Sequence, residues 1–318
     1  MMKQIDFSAL MQAAKINFGG KVNIDEQMSG LEPNPKDDWL FLGVSAIQHE
    51  LENRNSTSMA CIGSANGIDV IAALKTSSKL KKIFVTDILS NILPQIEKNI
   101  EQNVPEEIKK CEMHYLVGRD CEPLPEKVDF IYANLPLIMV SNDSLNKNLA
   151  STTLTNAENY APFSKGEKDP LAIWSLLSQL GFLLSAKEKL QKGGVVVTLI
   201  GGRVPYGVID ELFHRAGFTY AELYCSFKLQ SDPIFLKEYA DYEKKAKIAF
   251  CFYDYEKAAQ ILKNTLNIVI PDIITGKTGE ELKALLADAQ MNAAQAYENA
   301  LNKKPVGHLA HAFEAICL

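Results

Sequence analysis

The feature that most limits what this chain can fold into is a rhythm that starts near Ser56. Short apolar runs, Met59–Ile62, Ile83–Thr86, Met113–Val117, Phe130–Ala133 and Val195–Ile200, alternate with helical patterns near Ile68–Leu74, Ser90–Asn103 and Pro170–Gln191. Unbroken apolar runs of this length suit strands buried on both faces, and the helices between them return the chain to start a parallel neighbour. After Gly201-Gly202 another helix is expected over about Gly207–Ala216, and two late runs, Tyr220–Lys228 and Ala246–Tyr253, read as a closing antiparallel pair. The expected fold is α/β, a Rossmann-like seven-stranded, mostly parallel sheet with helices on both faces.

The flanks read differently. Residues 1–55 form a helical N-terminal cap: an amphipathic helix over about Phe7–Asn17, a Gly19-Gly20 turn, a loop at Pro33-Asn-Pro35, and a helix from Lys36-Asp-Asp-Trp39 to Asn53. The sheet domain occupies 56–254, and 255–318 is expected to be a helical C-terminal extension, alanine-rich over Glu280–Ala300, offering a packing or homodimer surface.

At 318 residues the chain can bury one large core with appendages. A net charge of −6 and a pI near 5.5 argue against nucleic acid as the main partner, because phosphate binding needs a basic face. Lys79, Lys81 and Lys82 are read as a solvated helix end. The six cysteines are scattered with no Cys-x-x-Cys pair, several in apolar runs, which points to a reduced, cytoplasmic chain without a structural zinc. His308 and His311 lie three apart on an expected helix with no third ligand nearby in sequence, so no metal site is expected. The N-terminus carries no signal-peptide pattern and no apolar run spans a bilayer, so no membrane partner is expected.

The strongest local motif is Cys61-Ile-Gly-Ser-Ala-Asn-Gly-Ile68, a strand end running into a helix start. Glycines there permit a tight turn and close backbone approach to a ligand, and free N–H groups at the helix start favour a polar or anionic group. Gly63, Ser64, Asn66 and Gly67 are the candidate cofactor contacts. Asp87 ends the next strand and can accept two hydrogen bonds from ribose hydroxyls, or cap the helix that follows. Asp120, after the third strand, is placed to meet an adenine amino group or to sit in a surface loop; Asn134-Leu-Pro-Leu137 leaves the fourth. All four features fall at strand carboxyl ends, where open parallel sheets bind ligands. A nicotinamide enzyme also uses an acid after its second strand. This turn, however, is Gly-x-x-x-Gly rather than Gly-x-Gly-x-x-Gly, which favours S-adenosylmethionine.

On these motifs, residues from about Asp38 to Tyr253 resemble the methyltransferase domain of methionine S-methyltransferases and, more distantly, the release-factor glutamine methyltransferases. Asp38-Trp39-Leu-Phe41 is similar to the family's Asp-Trp-Ser-Phe segment, and Gly63-Ser-Ala-Asn66-Gly67 to its Gly-Cys-Gly-Asn-Gly turn. Gly201-Gly-Arg203-Val-Pro-Tyr-Gly207-Val resembles Gly-Gly-Arg-Pro-Gly-x-Gly and is the most specific match. The stretch Lys228–Phe250 parallels the domain's last segment, and Gly307-His308-Leu-Ala-His311-Ala is similar to a His-Ala-Leu segment beyond it. Ala65 replaces the middle glycine and Cys61 the usual acid. The Asn-Leu-Pro-Leu segment lacks the Asn-Pro-Pro-Tyr pattern that holds a planar nitrogen nucleophile.

The resemblance implies a class I methyltransferase acting on a small molecule, with S-methylation of methionine or a related thioether as the leading reading. A thioether has no proton to lose, so alignment and water exclusion would carry the catalysis. The candidate catalytic residues are Asn134 and Tyr160, and the candidate substrate contacts are Trp39, Tyr160 and Arg203. The two aromatic rings could face the moving cationic charge, and Arg203 a substrate carboxylate. Two other readings stay open: methylation of another nucleophile, including a protein glutamine, or a non-catalytic binding protein on the same fold.

Overall fold

The computed structural model describes residues 2–25, 32–140, 154–230 and 232–317. The apolar runs form the expected parallel strands β3 (Ser58–Ile62), β4 (Lys82–Asp87), β5 (Glu112–Val117), β6 (Val128–Ala133) and β9 (Leu190–Gly201). They lie side by side in the order β5-β4-β3-β6-β9, all pairs parallel. Because β3 comes first in sequence and has β4 on one side and β6 on the other, the order reverses at the carboxyl end of β3, and a crevice opens there. Between them run helix α3 (Ile68–Thr76), helices Leu93–Asn103 and Leu177–Lys189, and others, filling both faces. One apolar core lies on each face, and a third sits under the tail.

The closing antiparallel strand comes from elsewhere in the chain. Strand β10 (Phe218–Leu229) matches the first late run, but its partner is β14 (Val306–Cys317), which inserts between β10 and β9 and is antiparallel to both. The expected strand Ala246–Tyr253 is instead the end of the helix Pro233–Ala246, a short extended link, and a three-residue strand β11 (Phe252–Asp254) on the end of β14. Asp232 starts that helix, its carboxylate accepting the Ile234 N–H at 2.8 Å, and Pro233 fits the first helical position. The tail is therefore helical only as far as Leu301; its last strand lies within the sheet, so the boundary at 254 does not separate an extension from the sheet domain. His308 and His311 lie on that strand rather than on a helix. The chain keeps seven principal strands, five parallel and two late, and short strands at 273–274, 290–291 and 252–254 extend the sheet to ten.

The N-terminal cap is not wholly helical either. Strands β1 (Met2–Asp6) and β2 (Lys21–Asp25) pair as a small antiparallel ribbon around α1 (Ser8–Ala13). Helix α2 (Trp39–Asn53) follows and packs on α3. The alanines expected to form a packing or dimer face, Ala293, Ala296 and Ala300, are buried within the chain, and their helix packs on Pro233–Ala246. No helix among the described residues is long and apolar enough to cross a membrane.

Candidate functional site

At the carboxyl ends of β3, β6 and β9 a cavity of about 270 Å³ opens, walled by the turn after β3, the segment after β6, Gly201 and Arg203 after β9, and the start of α2. Gly63 (φ +68°) and Gly67 (φ +82°) adopt the left-handed backbone that glycine takes without strain. A Cβ on Gly67 would meet Ile96 and Ile100 at 3.2 Å, so this glycine seats the turn on the helix behind it rather than on a ligand. Gly63, Ser64, Ala65, Asn66 and Asn134 reach the cavity wall.

The turn's N–H groups are less available than the sequence suggested. Gly63 and Ser64 donate to the Thr86 carbonyl at 2.9 and 3.2 Å, and Ala65 donates to the Asp87 carboxylate at 3.3 Å. At the start of α3, Ile68 donates to the Asn66 side chain at 3.1 Å and Val70 to the Asp69 carboxylate at 2.8 Å. These donors are spent inside the protein, and the charge facing the cavity there is acidic. Asp69, on the cavity wall, is pushed up to about 6 by burial, against hydrogen bonds from Ser64 and the backbone.

Asp87 is buried beside the turn and does not line the cavity; its oxygens take the N–H groups of Ala65 and Leu89 and keep lone pairs for a further donor. Burial raises its carboxyl above the usual range. Next to it, at the tips of β4 and β5, Ile88, Leu89 and Val117 are 58, 53 and 52 % exposed, an apolar edge that a flat ring could cover. Asp120 is buried and pushed up to about 6 by burial. The Tyr160 hydroxyl donates to it at 3.2 Å. Tyr160 is thus not brought to the cavity with Trp39 and Arg203: it is a positioning partner of Asp120, its ring 5.6 Å from the Arg119 guanidinium.

Arg203 is 5 % exposed and lines the cavity, yet among the described residues nothing hydrogen-bonds its Nε or Nη1. Its guanidinium lies 4.5 Å from the Tyr239 ring centroid and 5.8 and 5.9 Å from those of Phe252 and Trp39. Burial holds it below its ordinary value, with no acid among the described residues opposite to offset that. Trp39 in turn stacks on His308 at 5.5 Å, which burial keeps neutral. The segment carrying Trp39 is tied down by Lys228, a fully buried ammonium that donates to the Lys36 and Asp38 carbonyls, while the Asp37 carboxylate accepts the Leu229 N–H at 2.9 Å. Burial draws Lys228 down to about 8.

Sequence reasoning missed Asp69, Tyr132, Gln179, Phe235 and Tyr239, all on the wall. An acid in the first turn after a glycine-rich loop was a legible sign for Asp69. Phe235 and Tyr239 were hidden because their helix carries few periodic apolar positions, Leu236 and Tyr239 being its buried hydrophobics.

No protein-family model matches the chain, and neither does any curated protein. Among solved structures it is similar to the ribosomal protein L11 methylase of Lactobacillus delbrueckii (16 % identity, 61 % of this chain, 76 % of that one, TM-score 0.40). It is also similar to the precorrin-6y C5,15-methyltransferase of Geobacter metallireducens (10 %, 84 and 86 %, 0.36) and to the YcgJ protein of Bacillus subtilis (11 %, 87 and 98 %, 0.42). Likenesses this distant assign neither chemistry nor substrate.

Proposed function

We propose that this chain is a methyltransferase that uses S-adenosylmethionine and acts on a small molecule bearing a carboxylate, with methionine or a related thioether as the acceptor that suits the site best. The observation that carries the reading is Arg203. A buried guanidinium without a partner costs several kcal/mol, and a ligand carboxylate with its two parallel oxygens is the group that relieves that cost.

The residues present suit the cofactor. Asp87 has acceptor capacity for ribose hydroxyls, Asp120 stands one strand over, and Ile88, Leu89 and Val117 offer apolar contact to a base. S-adenosylmethionine, when bound, supplies a methyl group on a positively charged sulfur. Asp69 faces the cavity from the turn and, when ionised, favours positive charge there. Arg203, also on the wall, would fix the acceptor's carboxylate, and Trp39 and Tyr239 would pack its side chain and keep water out. Asn134 and Gln230, both on the wall, are neutral polar groups that would orient it. Among the described residues the wall holds no histidine, lysine or cysteine. A thioether acceptor has no proton to lose and needs no base, whereas a nucleophile that must shed a proton would have to use a wall carboxylate such as Asp69.

The test is incubation with labelled S-adenosylmethionine and a panel of amino acids and their alcohol analogues, with mass analysis of the products. Methionine should gain one methyl group and methioninol should not. Transfer to some other acceptor but not to methionine removes the thioether reading. Absence of any transfer, together with no heat on titration with S-adenosylmethionine, removes the enzyme.

A further inference from the structure

A second constellation lies behind the Arg203 segment, in the core under the tail. Residues three apart on a regular strand point to opposite faces, but β10 has a bulge between Glu222 and Tyr224, which re-aims Glu222 onto the face that carries Cys225. Cys225 stands directly across from His311 of β14. One donor atom from each of the three, a carboxylate oxygen, a thiol sulfur and an imidazole nitrogen, lies within 4.8 Å of the other two. Glu222 Oε1 meets His311 Nδ1 at 2.9 Å. Its second oxygen is held from outside by the Tyr206 hydroxyl at 2.9 Å and the Gly279 N–H at 3.1 Å. Tyr206 also stands 3.2 Å from His311 Nδ1.

We propose that Glu222, Cys225 and His311 bind a zinc ion, with the Tyr206 hydroxyl bracing Glu222 from outside. Nitrogen and sulfur donors in one set suit a thiophilic divalent ion and not magnesium or calcium. The clamps on Glu222 from Tyr206 and Gly279 are the outer support that ligating carboxylates carry. Binding releases one proton, from the Cys225 thiol to solvent, as sulfur bonds to the metal; His311 transfers its Nδ1 proton to Nε2 and offers the freed lone pair. The nearest cation, Lys283, donates to the Val204 carbonyl and stacks over the Tyr206 ring at 5.2 Å, outside the donor triangle. The role is structural. The ion would join β10 to β14 beside Tyr206, three residues beyond Arg203, and so pin the tail against the wall of the cavity.

The experiment uses the full chain, stripped with a chelator and dialysed against cobalt and then zinc. Wild type should bind stoichiometric cobalt, show thiolate-to-cobalt charge-transfer absorption, and lose that band when zinc displaces it. In Cys225→Ala the band should vanish and affinity fall at least 100-fold; Cys317→Ala, outside the group, should leave both unchanged. Glu222→Gln, isosteric and checked for folding by circular dichroism, should weaken binding while keeping the band. Absence of stoichiometric binding in wild type, or a band that survives in Cys225→Ala, overturns the proposal. If Cys225→Ala does not fold, wild-type affinity carried over intact into a folded Glu222→Gln overturns it equally.

Discussion

Ala65 occupies a left-handed backbone position (φ +52°) in a turn whose neighbours at 63 and 67 are glycines. An L-residue there costs roughly 1–2 kcal/mol, and a glycine gives back about 0.5–1 kcal/mol in unfolded-state entropy. Ala65→Gly should therefore leave stability unchanged or raise it by up to about 1.5 kcal/mol in urea unfolding. A clear loss would mean that the Ala65 methyl on the cavity wall packs against something essential. Arg203 poses the sharper choice. If its purpose is a ligand carboxylate, Arg203→Met removes an unpaired buried charge and should hold or raise the melting temperature. The same change should weaken carboxylate-bearing acceptors by about 100-fold, on the order of 3 kcal/mol, while S-adenosylmethionine binds as before. A variant that loses stability and keeps its affinity would assign Arg203 to the core.

At the scale of elements, β14 does what the sequence seemed to ask of residues 246–253. It pairs with β9 and β10 along most of its twelve residues and brings Val306, Leu309, Ala310, Ala312, Phe313 and Ala315 into the cores. A chain ending at Leu301 leaves β9 and β10 without the strand between them, and a fragment ending at Asp254 does the same. Both are expected to show no cooperative thermal transition and to bind hydrophobic dye, as exposed sheet edges and unfilled cores require. A cooperative transition in either would show that β14 is dispensable. The resemblance reached this strand through Gly307-His308-Leu-Ala-His311-Ala, while the reading of the residues placed its two histidines on a helix. Its alternation is masked because both faces are buried, so periodicity could not tell strand from helix.

Across the whole molecule, buried acids with raised values shape part of how stability responds to pH. Asp69 and Asp120 are both raised from 3.8 to about 6. A raised acid binds more protons folded than unfolded between those values, so each of these two contributes stability that is fully present below 3.8 and is lost as pH rises through 6. For Asp69 the loss is on the order of 3 kcal/mol. Asp69→Asn should flatten the slope of unfolding free energy between pH 4 and 6.5; an unchanged slope would mean that Asp69 titrates normally. The sequence alone determined the parallel strands, the turn at Gly63, and the strand-end positions of Asp87, Asn134 and Arg203. Apolar run length, glycine placement and strand-end position are local properties, written in consecutive residues. Tertiary structure alone decided which distant strand closes the sheet, that Tyr160 serves Asp120 rather than the cavity, that N–H groups of the turn are already spent, and that Arg203 meets no acid among the described residues. Those outcomes depend on which side chains from separate parts of the chain arrive beside one another, and no local pattern encodes the partner a buried charge does not find.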